Sequence, residues 1–335
     1  MTEEVFPVKF LIVRFSSIGD IVLTTPVIRC IKKQIEGAEI FFLTKKQFAP
    51  VLINNPYIDK IFLLDDSLAN VINELKKEEI HYIIDLHNNL RSHTVIRRLK
   101  LLAFSFNKLN FKKWILVNFK IDLLPEKHIV DRYLETLKLF DVKDDGKGLD
   151  YFISATDELT VNQLPDIHRN GYVAFAIGAL HYTKQLTTDK IINICHYLKY
   201  PVVLLGSEND FDKGKAIEEH TGDFVYNACG KFNINQSAAI IKSAKVIITS
   251  DTGLMHIAAA FKKPIISVWG NTVPKFGMYP YLPGEKSEII EVKNLRCRPC
   301  SKLGYKKCPK KHFRCINDID ENIVAEKVKK IIYEL

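Results

Sequence analysis

The chain has 335 residues, 47% hydrophobic and 26% charged, with a formal net charge of +9; that is too apolar for a disordered chain and longer than one hydrophobic core usually serves, so two domains are expected. No run of about 18 apolar residues occurs and the acidic start MTEEVFPVKF is unlike a signal peptide, which predicts a cytoplasmic protein without a spanning helix. The excess of cations points to a polyanionic partner: nucleic acid, an anionic membrane surface or a phosphorylated substrate.

Short runs rich in Val, Ile and Phe alternate with segments of helical period, the pattern of a parallel sheet covered on both faces, so the fold class is α/β. In the first half, strands are predicted over 9–15, 39–43, 60–64, 82–86 and 103–106, and helices over 21–34, 67–77, 90–99 and 129–140. The loop Ser16-Ser17-Ile18-Gly19-Asp20 leaves the first strand at its carboxyl end, where open α/β sheets bind ligands. It has one glycine where a dinucleotide fingerprint needs three, which disfavours a nicotinamide or flavin. Asp20 can simply cap its helix; beside Arg14 and two serines it is also placed to take a proton from a substrate hydroxyl, and it is the candidate general base.

From Arg91 to Lys120 the chain carries Arg91, Arg97, Arg98, Lys100, Lys108, Lys112, Lys113 and Lys120 with no Asp or Glu, interleaved with Leu, Phe and Trp114. That mixture favours an interfacial patch for anionic lipid or a phosphorylated acceptor over a merely solvated face. Nucleic acid is not expected, since no recognition module accompanies the patch. The polar stretch from Val142 to Asn170 marks a boundary, giving domains over 1–169 and 170–319, with a last helix over 320–335 expected to cross back to the first domain.

In the second half, strands are predicted over 172–176, 201–205, 246–249 and 264–268, and helices over 188–198, 210–219, 235–243 and 253–261. Ser250-Asp251-Thr252-Gly253 leads from a strand into a small-residue helix bearing His256. Backbone N–H groups there, with Gly253 allowing close approach and Thr252 a hydroxyl, suit a pyrophosphate without a metal, and His256 can add a donor. Asp251 and Thr252 are also good caps for a helix with no ligand. Two other strand ends reach the same edge: Lys184 can meet phosphate and Glu208 a ribose or sugar hydroxyl, though each taken singly reads as a solvated surface residue.

Of seven cysteines, Cys30, Cys195 and Cys229 read as small buried hydrophobes. The spacing Cys297-x2-Cys300-x7-Cys308-x6-Cys315 can bind one structural zinc, or stand as a reduced loop; a cytosolic setting argues against disulfides.

SSIGD followed by TTP, DLHNNLRS at 85–92, HIVDRYLETL at 128–137, Thr183-Lys184, LLGSEND with Gly230-Lys231 after it, and DTGLMHIAAAF followed by WGNTVP occur in this order. Together they resemble glycosyltransferase family 9, the ADP-heptose:lipopolysaccharide heptosyltransferases, over nearly the whole chain. The resemblance implies a GT-B fold, two Rossmann-like domains facing each other across a cleft. It implies an inverting, metal-independent displacement needing no cofactor, in which Asp20 takes the acceptor proton as ADP leaves. An ADP-sugar donor would lie at Thr183, Lys184, Glu208, Asp251, Thr252, Gly253 and His256. A lipid-linked, phosphorylated or anionic saccharide acceptor would lie at Ser17, Gly19, Asn89, Arg91, Arg97 and Arg98, with the enzyme peripheral to the cytoplasmic face of the inner membrane. The family often has Arg-Trp after the Thr-Lys pair; Gln185-Leu186 here leaves the donor sugar open. Another nucleotide-sugar donor, an epimerase, or a basic nucleic-acid-binding protein with a zinc knuckle are the alternatives.

Overall fold

The computed structural model describes residues 7–65 and 67–334. It divides into two compact units: the described residues up to Lys108 with Lys127–Phe152, and Leu109–Glu126 with the described residues from Ile153 onward.

The first unit holds a five-stranded sheet in the order β3-β2-β1-β4-β5, comprising β1 (Val8–Val13), β2 (Ala38–Lys45), β3 (Lys60–Leu64), β4 (Tyr82–Asp85) and β5 (Leu102–Ser105). All its pairings are parallel. The central strand β1 is sealed on both faces at Phe10, Leu11, Ile12 and Val13, which is why it reads as an unbroken apolar run. One core face gathers Leu11, Val13, Phe41, Leu43, Val71, Ile83 and Val95.

The second unit repeats the plan with a six-stranded sheet in the order β11-β10-β9-β6-β7-β8. Its strands are β6 (Val173–Ala176), β7 (Val202–Leu205), β8 (Val225–Asn227), β9 (Val246–Ser250), β10 (Ile265–Trp269) and β11 (Glu288–Glu291). These too pair in parallel. Parallel α/β units of this kind, one after the other, realise the expected class.

The structure departs from the sequence reading at several places, and the helix expected over 129–140 is an α-helix, Ile129–Leu134, followed by a 3-10 helix, Glu135–Phe140. The single helix expected over 21–34 is two, Ile18–Val22 and Thr25–Gln34. Thr24 and Thr25 donate their hydroxyls to the carbonyls of Ile21 and Val22 at 2.7 and 2.8 Å, and Pro26, which has no N–H to give, opens the second helix. Strands β8 and β11 were not foreseen: β8 has three residues, and β11 has two isoleucines between two glutamates, too little apolar sequence to read as a strand. A helix, Asn110–Phe119, occupies the stretch read only as a basic patch. The boundary expected near residue 170 falls earlier, at Phe152, and Leu109–Glu126 leaves the first unit for the second. The last helix, Glu321–Tyr333, is built into the second unit: Val324, Ala325, Val328 and Ile331 lie in its core, against the helix Thr188–Leu198.

Candidate functional site

In the first unit the chain leaves β1 through Arg14 and enters the helix Ile18–Val22 at its cap, Ser17. Asp20 closes that turn: its Oδ2 accepts from the Ser17 amide at 3.2 Å and the Ser17 hydroxyl at 2.8 Å. Its Oδ1 lies 2.7 Å from the Arg14 guanidinium. The Asp20 side chain thus closes the turn and stays 22% exposed, so the carboxylate is not sealed from solvent.

Arg14 is buried and fully employed, donating to the carbonyls of Ser16 and Leu86 and to the Tyr133 hydroxyl at 2.7, 2.5 and 3.1 Å. Burial works to lower its pKa, but Asp20, Tyr133 and Asp85 outweigh this and raise it, so the cation beside Asp20 is permanent.

The loop after β4 is held by Asp85, which is fully buried. Its carboxylate accepts from the amides of His87 and Asn88 at 2.9 and 2.8 Å and from the Ser92 hydroxyl at 2.7 Å. Asn89 caps the helix Leu90–Leu99 by accepting from the Ser92 amide at 2.9 Å. Arg91, exposed in the first turn, lies over the Phe15 ring at 5.7 Å and so stands at the Asp20 edge of the sheet. Arg97 and Arg98 sit in the last turn of the same helix, roughly 9 to 10 Å further along an axis that runs back from the strand ends. Six residues of helix thus separate them from Arg91, and the structure does not gather all three at one point. Ser17 is exposed and Gly19 buried.

Sequence reasoning passed over His87 and Tyr133. His87 packs edge-on against Phe15 at 5.1 Å, and its Nδ1 is buried without a hydrogen-bond partner. Burial first, then Arg14 and Lys108, press its pKa down to about 3, with Asp20 pulling the other way. The ring is neutral at physiological pH. The signal was its place in DLHNNLRS, two residues past a strand's carboxyl end.

In the second unit the helix Gly253–Ala260 starts at Thr252, whose own side chain makes no capping hydrogen bond to its amides, at the helix end that carries the positive partial charge, just past the carboxyl end of β9. Lys184 reaches this point: its Nζ lies 2.5 Å from Asp251 Oδ2 and 3.3 Å from the Asp251 carbonyl. Thr272 donates to the same carboxylate at 3.1 Å. The Thr252 hydroxyl is 3.1 Å from that of Thr249, and His256 is buried in the helix. Thr183 is buried, and its hydroxyl donates to the Tyr305 carbonyl and accepts from the Tyr305 amide at 3.2 and 2.8 Å, tying down the cysteine loop. Glu208 is exposed after β7, where Gly230, at φ +71, packs so closely that an added Cβ would stand 2.8 Å from the Glu208 Cα.

The four C-terminal cysteines share one loop, with Cys300 Sγ 3.1 Å from the Cys297 carbonyl and Cys297 Sγ 3.8 Å from His312 Nε2. Burial, then the neighbouring thiols, push Cys300 up to about 11, and burial followed by Cys300 pushes Cys315 up to about 12. Among the described residues the one group of three ligand atoms within 4.8 Å of each other is Cys30, Asp144 and Asp145, and Asp145 there is paired with Arg29 at 2.7 Å. The cysteine quartet has the donor chemistry for zinc but its ligand atoms are not drawn together.

Residues 68–311 match the family described as glycosyltransferase family 9 (heptosyltransferase). Lipopolysaccharide heptosyltransferase 1 of Campylobacter coli is 25% identical over 349 aligned positions, covering 96% of this chain and 98% of that protein. A family 9 glycosyl transferase from Veillonella parvula superposes with a TM-score of 0.78 at 20% identity, over 99% of each chain. The structure described as Escherichia coli ADP-heptose lps heptosyltransferase II superposes with a TM-score of 0.76 at 20% identity, over 97% of this chain and 99% of its own. The fold is therefore GT-B.

Proposed function

The chain belongs to glycosyltransferase family 9, the heptosyltransferases, and on that premise we propose that it moves a heptose or related sugar from an ADP-sugar to a lipopolysaccharide inner-core acceptor, inverting the anomeric centre without a metal. It is a glycosyltransferase; donor, stereochemistry and metal independence are the proposed part. The observation that carries the reading is the helix N-terminus at Thr252–Gly253 with Lys184 and Asp251 beside it. Amides and one ammonium can hold a diphosphate and stabilise it as it departs, which is the work a metal does in other enzymes. Asp20 receives the acceptor proton as its oxygen attacks the anomeric carbon, and the bond to the diphosphate breaks. Arg91 is the cation placed to receive an anionic acceptor. The donor assignment draws support from the E. coli relative named for ADP-heptose.

The acceptor being lipid-linked, the enzyme works at the cytoplasmic surface of the inner membrane; among the described residues no helix is long and apolar enough to cross it. A structural zinc at Cys297, Cys300, Cys308 and Cys315 is a separate proposal, tested by metal content of the purified chain against titration of its thiols.

The deciding experiment is thermal stabilisation by ADP, ADP-heptose, UDP-sugars and GDP-sugars in the presence of EDTA, since a ligand that binds the folded state raises its melting temperature. Selective stabilisation by the ADP compounds is expected. Stabilisation by another nucleotide alone keeps the enzyme and discards the donor; an effect seen only with added metal discards metal independence.

A further inference from the structure

The helix Asn110–Phe119 turns an unusual face outward. Phe111, Trp114 and Phe119 are all exposed and touch one another: Phe111 and Trp114 stack at 6.3 Å, and Phe119 meets Trp114 edge-on at 5.4 Å. Ile121 and Leu123 extend this apolar knob, while Leu116 alone faces inward and is buried. Exposed aromatics gathered on one helix have a purpose outside the fold, because water charges for each of them.

The cysteine loop of the same unit lies against this helix. Lys120 donates to the carbonyls of Cys297 and Pro299 at 3.3 and 2.7 Å, and Lys302 donates to Asn110 Oδ1 at 3.2 Å. Between Glu291 and Asp318 the chain has no acidic residue, yet it carries Lys306, Lys307, Lys310 and Lys311. All four are exposed, and none forms an ion pair among the described residues. Leu303 and Tyr305, just before them in the chain, are exposed as well. The helix with its aromatic knob and the loop that carries the lysines are thus bonded neighbours in one unit, the loop free of acids and Asp122, beside the knob, paired with Lys275.

We propose that this surface docks on a bilayer bearing anionic headgroups, with Phe111, Trp114 and Phe119 entering the interface and Lys306, Lys307, Lys310 and Lys311 meeting the lipid phosphates. The inference rests on the lipid-anchored acceptor of the proposed function and names the element that reaches the membrane. Charge complementarity selects the occupant: lysines without acids suit an anionic plane, and tryptophan, with an apolar body and a polar N–H, suits the headgroup depth. The rings pack on each other as one knob and are not spaced as separate platforms for successive bases, which sets a nucleic acid behind lipid.

The chain has two tryptophans, Trp114 half-exposed and Trp269 at 1% exposure, so a change in emission on contact with lipid reports Trp114. The full-length protein is mixed with vesicles of phosphatidylethanolamine and phosphatidylglycerol, or of phosphatidylcholine alone, none containing acceptor. Flotation with the anionic vesicles at least tenfold above the neutral ones, a blue shift in emission, and quenching by brominated phosphatidylglycerol are expected of the wild type. Phe111→Ser with Trp114→Ser, and separately Lys306→Glu with Lys307→Glu, should each lower vesicle binding at least tenfold while stabilisation by ADP is kept. No flotation, equal binding to neutral vesicles, or wild-type emission that brominated lipid does not quench would each overturn the proposal. So would a lipid-independent dimer abolished by Phe111→Ser with Trp114→Ser, or tight RNA binding without vesicle binding. ADP stabilisation and transfer to a water-soluble acceptor read the proposed function independently, so failure of one reading is not failure of the other.

Discussion

A carboxylate that caps its own helix can also serve as a base, and Asp20 separates the two roles by substitution. Asparagine keeps the size and can still accept from Ser17, but it cannot take a proton. Asp20→Asn is expected to lower kcat by about 10²- to 10⁴-fold, the usual worth of a positioned base, with stabilisation by ADP unchanged. Asp20→Ala should in addition cost about 1 kcal/mol of stability through the lost cap. Initial rates beside melting temperatures check the pair; wild-type kcat in Asp20→Asn would return the residue to capping alone. The sequence made Asp20 visible because strand, loop and helix could all be read around it. It hid Arg14's other partners, since Leu86 and Tyr133 lie 72 and 119 residues away.

His87 gives the site a pH signature. Its folded pKa of about 3 lies below the ordinary value of 6.5, so the folded state binds the proton less readily than the unfolded chain. The stability this neutral ring contributes is fully present above pH 6.5 and is lost as the pH falls toward 3. Its ring resonances are expected not to titrate between pH 8 and pH 5, and His87→Gln should lose less stability than the wild type between pH 6.5 and pH 4. An imidazole titrating near pH 6.5 would mean that burial and the cations around it do not set its charge.

At the scale of elements, the sheets were legible and the edges were not. Strands such as β1 and β9 are buried on both faces because helices cover both, and that leaves the apolar runs Phe10–Val13 and Val246–Ile248. β8 has only three residues, and β11 sets two isoleucines between glutamates, so neither stands out as an apolar run. The helix Asn110–Phe119 escaped for another reason: with Leu116 its one buried side chain, it has no apolar stripe directed at the core. The turn at Thr252–Gly253 was legible as a strand followed by small residues, but its partner Lys184 is 67 residues away. Lys184→Met tests the element. It removes an ammonium facing the diphosphate and leaves Asp251 uncompensated beside it, so both effects weaken donor binding. Hydrogen bonds to charged groups contribute about 1.5–3 kcal/mol, and the ADP dissociation constant by calorimetry is expected to rise at least tenfold. An unchanged constant would reduce the helix start to a packing feature.

For the whole molecule, the boundary was misplaced because a chain can pass between units without a change of composition. The segment Leu109–Glu126 belongs to the second unit although first-unit residues flank it on both sides, and only contacts such as Lys120 to Cys297 and Pro299 reveal this. Each unit has its own sheet and buried cluster, so unfolding is not bound to a single all-or-none step. If ADP binds the second unit, its binding energy must appear there. At a hundredfold excess over the dissociation constant that is about 2.7 kcal/mol. In hydrogen exchange, the amides of β9 and the helix Gly253–Ala260 should then slow markedly on adding ADP, with the core of the Leu109–Glu126 segment slowing too wherever it opens together with its unit. The amides of β1 to β5 should be unaffected. Slowing confined to the first unit would move the nucleotide to the Asp20 end of the chain and reverse the assignment of donor and acceptor; equal slowing in both would mean that the units open as one.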